Sequence, residues 1–294
     1  MIKIKVPATS ANIGPGFDCL GMAFDLYNEY TFEAGESGGY HGFAPEYRND
    51  NNLVYTSMAA ACRELGIQIP KAAISIIKEE IPVSRGLGSS AACIIAGVAA
   101  AGYLSGKDIS FQDIFDIASV IEGHPDNAAP AVWGGMTAAA KCGEAFRSRT
   151  IEVAEGIAFY ALIPDFRVST KRARDALPKN VPRSSAVFNV AAVSMLITSL
   201  QKGDFNLLGF ALRDRLHQPY RSRLIHGLDE IIHGCSACGA YGAFLSGAGP
   251  TVMALTPEDD SDFEGKIKSC LANYWECFEV KRLNLDRRGL VVEI

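Results

Sequence analysis

Between positions 81 and 93 the chain reads IPVSRGLGSSAAC. Gly86 and Gly88 allow a tight bend and the close approach of a ligand. Ser89 and Ser90 follow, opening a helix rich in small residues. A helix that starts in a glycine turn aims its unpaired N–H groups and the positive end of its dipole at one spot. That spot suits an anion, and phosphate is the usual one. The segment Pro82, Val83, Ser84, Arg85, Gly86, Leu87, Gly88, Ser89, Ser90, Ala91 and Ala92 is therefore read as a phosphate loop. Two blander readings compete. Ser-Ser before alanines also makes a plain helix cap. GLGSSA also fits a dinucleotide fingerprint, but that pattern needs a strand running straight into its glycines and an acid at the end of the next strand. Here a proline and a charged loop precede the glycines, and SGKDIS, a loop, lies about twenty residues on.

Four other places carry groups suited to chemistry. GPGFDCL (14–20) puts Asp18 in a tight turn among apolar neighbours. EGHPDNAAP (122–130) sets Glu122, His124, Asp126 and Asn127 in one short loop. STKRARDALP (169–178) carries Thr170 and Arg174, and HQPYR (217–221) ends on Arg221. An arginine pair suits a carboxylate, because each guanidinium fork binds both oxygens. Read alone, Asp18 is equally an Asx-turn residue satisfying its own backbone, and Arg174 a solvated helix face. Glu122 closes a helix, where an acid has the wrong sign for the dipole, which favours a functional role.

The elements that must position these groups are legible at lower resolution. Residues 2–6, 26–34, 72–79, 134–141 and 157–164 read as strands, and 52–65, 89–105 and 110–121 as helices. Ser110 and Asp113 form a capping-box start for the last of these. Beyond 164 the predicted helices are 169–176, 185–201, 204–216, 222–234 and 258–273, and the predicted strands 241–247, 251–256, 277–283 and 289–294. This is an α+β chain in two parts, 1–156 and 157–294. Of the 294 residues 48% are hydrophobic and 21% charged, which reads as an ordinary globular protein. The net charge of −5 and the lack of a like-charged arm predict no nucleic-acid partner. The start, MIKIKVPATS, alternates like a strand and has no apolar h-region. The apolar stretch 91–104 is too short to span a bilayer, so no membrane association is expected. Cys235 and Cys238 form a C-x-x-C with no second pair at similar spacing, so the eight cysteines are read as reduced structural thiols of a cytoplasmic protein.

IPVSRGLGSSAA resembles the ATP-binding signature of the GHMP kinases. VPATSANIGPGFDCLG (6–21) is similar to that family's N-terminal motif, and YGAFLSGAGPTVMAL (241–255) to its glycine-rich C-terminal one. Within the superfamily, ATSANIGPGFD, EGHPDNAAP and HQPYR are similar to the homoserine kinases. The resemblance implies the GHMP kinase two-domain fold: an N-terminal domain like domain 2 of ribosomal protein S5 and a ferredoxin-like C-terminal domain. It implies phosphorylation of the side-chain hydroxyl of L-homoserine by ATP, giving O-phospho-L-homoserine for threonine synthesis. By the same resemblance Asp18, assisted by Asn12, takes the substrate's ammonium. Arg174 and Arg221 take its carboxylate, with Thr170 nearby. Glu122 and Ser90 hold Mg2+, and Asn127 holds the attacking hydroxyl. Asp126 remains a rival base, and His124 is placed less firmly. Asn52 falls in the segment that shapes the adenine pocket. Arg85 either touches phosphate or points into water, the second being favoured. A homodimer is common in the family. The competing readings are a kinase for another small alcohol, such as mevalonate or shikimate, and a non-catalytic nucleotide- or metabolite-binding protein.

Overall fold

The computed structural model describes residues 1–35, 38–272 and 277–294. The alternating N-terminal run forms β1 (Ile2–Ala11), and the chain returns after a turn as β2 (Leu20–Ala34). Both strands are longer than their alternation predicts. The stretches next to the turn are buried on both faces and so lose the period-two signal. β2 pairs antiparallel with β1 along its length. On its other edge it pairs with β4 (Ala72–Glu79) over Asn28–Ala34 and with β5 (Met136–Cys142) over Leu20–Met22. β3 (Gly39–His41) lies parallel to β4, and β6 (Ala145–Ile151) pairs with β5.

Four helices cover this sheet: α1 (Leu53–Leu65), α2 (Ser89–Ser105), α3 (Phe111–Glu122) and α4 (Ala128–Trp133). α2 is the buried central one, and its small residues let neighbours come close. A Cβ on Gly97 would stand 2.2 Å from the Val54 carbonyl oxygen, so α1 and α2 cross at backbone contact there. The capping box of Ser110 and Asp113 on α3 is present. At the head of α1, Asn52 Oδ1 accepts from the Val54 N–H and Nδ2 donates to the Tyr47 carbonyl. Asn52→Ala is expected to lower stability by about 1 kcal/mol, seen as a lower urea midpoint at unchanged slope.

The second sheet is antiparallel in the order β10 (Phe278–Leu283), β7 (Ile157–Pro164), β9 (Val252–Pro257), β8 (Gly242–Leu245). The described helices of this half are α5 (Thr170–Asp175), α6 (Arg183–Lys202), α7 (Leu208–Ala211), α8 (Gln218–Arg221), α9 (Leu228–Ala237) and α10 (Phe263–Leu271). With helices between β7 and β8 and between β9 and β10, the order is the ferredoxin-like one. A separate core of Leu162, Leu245, Phe263 and Ile267 lies beneath it. By length and composition α6 is apolar enough to cross a membrane. In this fold it is a packed element: Leu196 and Leu200 are buried, and Asn189 donates to the Pro15 carbonyl and to Asp214.

Several sequence expectations need correction. Helix 204–216 is broken after α7, because Asp214 turns the chain by accepting the N–H groups of Leu216, His217 and Gln218. Helix 222–234 begins at Leu228, after Gly227 in the left-handed region. The last helix is shorter than 258–273, and residue 273 lies outside the described residues. Neither α4 nor β6 was anticipated. The division at residue 156 also fails for the tail. β11 (Val291–Glu293) crosses back and pairs antiparallel with β1, Lys3 opposite Glu293. Asp286 anchors that return: its carboxylate accepts from the Tyr27 hydroxyl (2.6 Å) and from the N–H groups of Arg288 and Gly289.

Candidate active site

The three glycine-bearing segments, far apart in sequence, meet at one cleft of about 370 Å³. The phosphate loop is held by its carbonyls. Those of Ser84, Arg85, Gly86 and Leu87 accept from the Val168 N–H, the Thr251 N–H, the Ser246 hydroxyl and the Thr9 N–H. Pinning the carbonyls into the protein leaves the N–H groups free. Among the described residues those of Gly86, Leu87 and Gly88 donate to nothing, and the first turn of α2 adds its own unpaired donors. Gly88, at φ 72°, caps the helix in the left-handed region, and a Cβ there would lie 2.0 Å from Thr9 Oγ1. An anion cradle of backbone amides is the result.

Among the described residues four non-glycine residues have positive φ: Asn12, Ile13, Asp18 and Ser84. Such backbone is costly, most of all for β-branched Ile13, and persists only where surroundings over-determine it. Asn12 supplies much of that constraint. Its Nδ2 donates to the Gly247 carbonyl (3.1 Å) and its Oδ1 accepts the Asp18 N–H (3.0 Å). Asn12 thus orients Asp18 and ties the N-terminal turn to the C-terminal glycine turn.

Asp18 does not satisfy its own backbone. Its carboxylate pairs with both ends of the Arg174 guanidinium, Nη2 to Oδ1 at 2.8 Å and Nη1 to Oδ2 at 3.1 Å. Arg221 is buried beside them. Nη1 donates to the Gly247 carbonyl (2.8 Å) and to His217 Nδ1 (3.3 Å), Nε reaches the Ala173 carbonyl, and Nη2 has no partner among the described residues. Burial, and then the Arg174 charge, push Arg221 down to about 10, so it is still a cation at neutral pH. His217 is held neutral by burial, donating through Nε2 to the Gly14 carbonyl (2.8 Å). Phe17 stacks on His217 and lies under both guanidinium groups. Phe17, His217 and Asp214 were not singled out from sequence, although HQPYR was recognised as a motif. Thr170 lies exposed on the cleft wall at the start of α5.

The loop after α3 supplies the rest. Glu122 is half-buried at the cleft, but its Oε2 is buried and has no hydrogen-bond partner among the described residues. Burial is the main cause that pushes its carboxyl up to about 7. A buried carboxylate oxygen left unpartnered is the feature a divalent cation would satisfy. Ser90, one residue into α2, lines the same cleft. His124 Nδ1 bonds Asp126 Oδ1, and although burial opposes it, that partner raises the imidazole above its usual range. Asp18, His124 and Asp126 bring ligand atoms within 4.8 Å of one another. Asn127 Oδ1 accepts from the buried Thr9 hydroxyl at 2.8 Å.

Some predicted residues face elsewhere. Pro82, Arg85, Leu87, Ala91 and Ala92 do not line the cleft. Leu87, Ala91 and Ala92 are core side chains, so only their backbone can serve a ligand. Arg85 does not meet the cleft: its half-exposed guanidinium is spent on the carbonyls of Val83, Pro164 and Asp165. Arg85→Ala is therefore expected to lower the unfolding midpoint while changing the KM for nucleotide by less than about threefold, because no phosphate contact is lost. Val83 and Ser84 do line the cleft, as does Asn52, although the amide of Asn52 is already committed to its cap. Around Asn52 the wall is apolar, built from Phe43, Leu53 and Ile76, which sequence reasoning did not identify.

A family model described as the GHMP kinases N terminal domain matches residues 52–135, and one described as GHMP kinases C terminal matches 196–273. A homoserine kinase of Clostridium botulinum strain Langeland is 44% identical over 293 residues, 99% of this chain and 98% of the relative. One from Clostridium beijerinckii is 41% identical over the same shares. The crystal structure of homoserine kinase from Cytophaga hutchinsonii superposes with a TM-score of 0.85 at 28% identity, covering 99% of this chain and 97% of that one.

Proposed function

The chain belongs to the GHMP kinases, among the homoserine kinases, and we propose that it transfers the γ-phosphoryl group of ATP to the side-chain hydroxyl of L-homoserine. One observation carries the substrate: an acid, Asp18, and two arginines, Arg174 and Arg221, stand at the same cleft as an amide cradle for phosphate. Homoserine is a zwitterion bearing a primary alcohol. Asp18 suits its ammonium, the guanidinium groups suit its carboxylate, and both ends fixed leave the alcohol aimed at the phosphates. Mevalonate and shikimate lack the ammonium and would leave Asp18 uncompensated.

Glu122 and Ser90 are the groups that would hold Mg2+, which when bound neutralises charge on the phosphates. The apolar wall of Phe43, Leu53 and Ile76 suits the adenine. The alcohol oxygen bonds to the γ-phosphorus as the bond to ADP breaks. Phosphoryl transfer has a loose transition state, so positioning and charge matter more than early deprotonation. Asn127 lines the cleft and has no basic group, whereas Asp126 is committed to His124. Both facts support a reaction without a strong general base, the proton leaving with the phosphoryl oxygens. The reading extends to a cytoplasmic homodimer on the route to threonine, supported by kinship rather than by a surface of this chain, and to no nucleic-acid or membrane partner.

The test is ADP release with homoserine, mevalonate and shikimate as acceptors. Turnover with homoserine alone is expected. No turnover with homoserine would sink the reading and leave the non-catalytic binding protein as its successor.

A further inference from the structure

We propose that Thr9 is the positioning residue that sets which face of the Asn127 amide meets the attacking alcohol. The inference rests on the reading of Asn127 as the group that holds that alcohol. Thr9 lies on β1 and is fully buried. Its N–H donates to the Leu87 carbonyl of the phosphate loop (3.2 Å), and its hydroxyl donates to Asn127 Oδ1 (2.8 Å). A buried hydroxyl needs an acceptor for its proton, and among the described residues Asn127 Oδ1 is the partner it has. The other amide orientation would set an NH2 group against that hydroxyl and orphan its proton. The bond therefore selects one flip of the amide: Oδ1 faces β1, and Nδ2 is left for the cleft.

Among the described residues the amide makes no other hydrogen bond that would fix that choice. Asn127 stands at the start of α4 but makes no side-chain cap there. The selected flip gives the alcohol oxygen a donor and no acceptor. An amide in this orientation holds a lone pair of the hydroxyl and leaves another free to attack phosphorus, without competing for the proton. Thr9 also touches both halves of the reaction. The same hydroxyl lies where a Cβ on Gly88 would be only 2.0 Å away, so one side chain sets the spacing between the phosphate cradle and the alcohol holder.

Thr9→Val keeps the shape and removes the donor, while Thr9→Ser keeps the donor. Thr9→Val is expected to lose about 10–100-fold in kcat, with the KM of each substrate within about threefold of wild type. Thr9→Ser should stay within about threefold in kcat. The double variant Thr9→Val/Asn127→Ala should be no slower than Asn127→Ala alone, because the hydroxyl acts through the amide. Losses that multiply, or a Thr9→Val enzyme at wild-type rate, overturn the proposal. A second readout needs no turnover: the Asn127 side-chain NH2 resonance, assigned by its absence in Asn127→Ala. It should shift in Thr9→Val and hold in Thr9→Ser; an unmoved signal in both overturns the proposal. A wild type inert toward homoserine refutes the substrate reading alone, and the resonance then decides the role of Thr9.

Discussion

Glu122→Gln is expected to lose at least ~10³-fold in turnover while folding more stably than the wild type at neutral pH. The first effect follows from the cation that Glu122 would hold. A cation that neutralises transferring phosphate supplies several kcal/mol, and each 1.36 kcal/mol is tenfold in rate. The second follows from burial. In the unfolded chain this carboxyl ionises near 4.5; in the fold, burial raises it to about 7. Between those values the unfolded chain has released its proton and the folded chain still holds it. Stability therefore falls as pH rises through that window and levels off above it. Glutamine has no proton to release. With chelator present, the unfolding free energy of the variant from urea melts should pull ahead of the wild type from pH 4.5 to 7 by roughly 3 kcal/mol, then keep a constant lead. An active variant would remove Glu122 from the chemistry. Parallel pH profiles would mean that its charge is not buried.

The second large effect concerns recognition. Asp18→Asn is expected to raise the KM for homoserine about 100-fold, since a charge-assisted hydrogen bond contributes about 1.5–3 kcal/mol. The carboxylate and guanidinium of the Asp18–Arg174 pair are 33% and 38% exposed, so the pair contributes at most about 1 kcal/mol to folding. A large KM change with a small stability change separates a ligand group from a structural one. The pair also sharpens selectivity. In the free chain the two groups neutralise one another, and a zwitterion replaces that contact with two of its own. 4-Hydroxybutanoate carries the carboxylate and the alcohol but no ammonium, so it can occupy Arg174 only by stranding Asp18. Wild type should prefer homoserine over it by about 100-fold or more, and Asp18→Asn should narrow that gap to within about tenfold. An unchanged preference would take the ammonium away from Asp18.

Much of this site is legible from sequence because its backbone demands are local. Glycine at 86 and 88 announces a left-handed turn, and a small-residue helix behind it announces close packing. What sequence hides is where a side chain spends its hydrogen bonds. Arg85 sits inside the most telling motif, yet its fork is consumed by carbonyls of the loop itself, of the end of β7 and of the residue after it. Thr9 carries no signal of its own, since a threonine in a strand is ordinary. Asp18 and Arg174 each look like a ligand group, and nothing local says that they meet each other across 156 positions. At the level of elements, α4 is missed because AAPAVW is short and apolar throughout, so it shows no helical period. β11 is recognised as a strand but grouped with the second part of the chain, because three residues carry no information about a partner nearly 290 positions away.

That pairing has a consequence for the order of synthesis. β1 leads directly into the turn that carries Asn12 and Asp18, yet its outer edge is closed by residues 291–293. A chain growing on the ribosome can fold many domains from the front while the rest is still being made. Here β1 has an unfilled flank until β11 has left the exit tunnel. Until residues 291–293 have been made that flank stays open, and the turn of Asn12 and Asp18 acquires its finished support late.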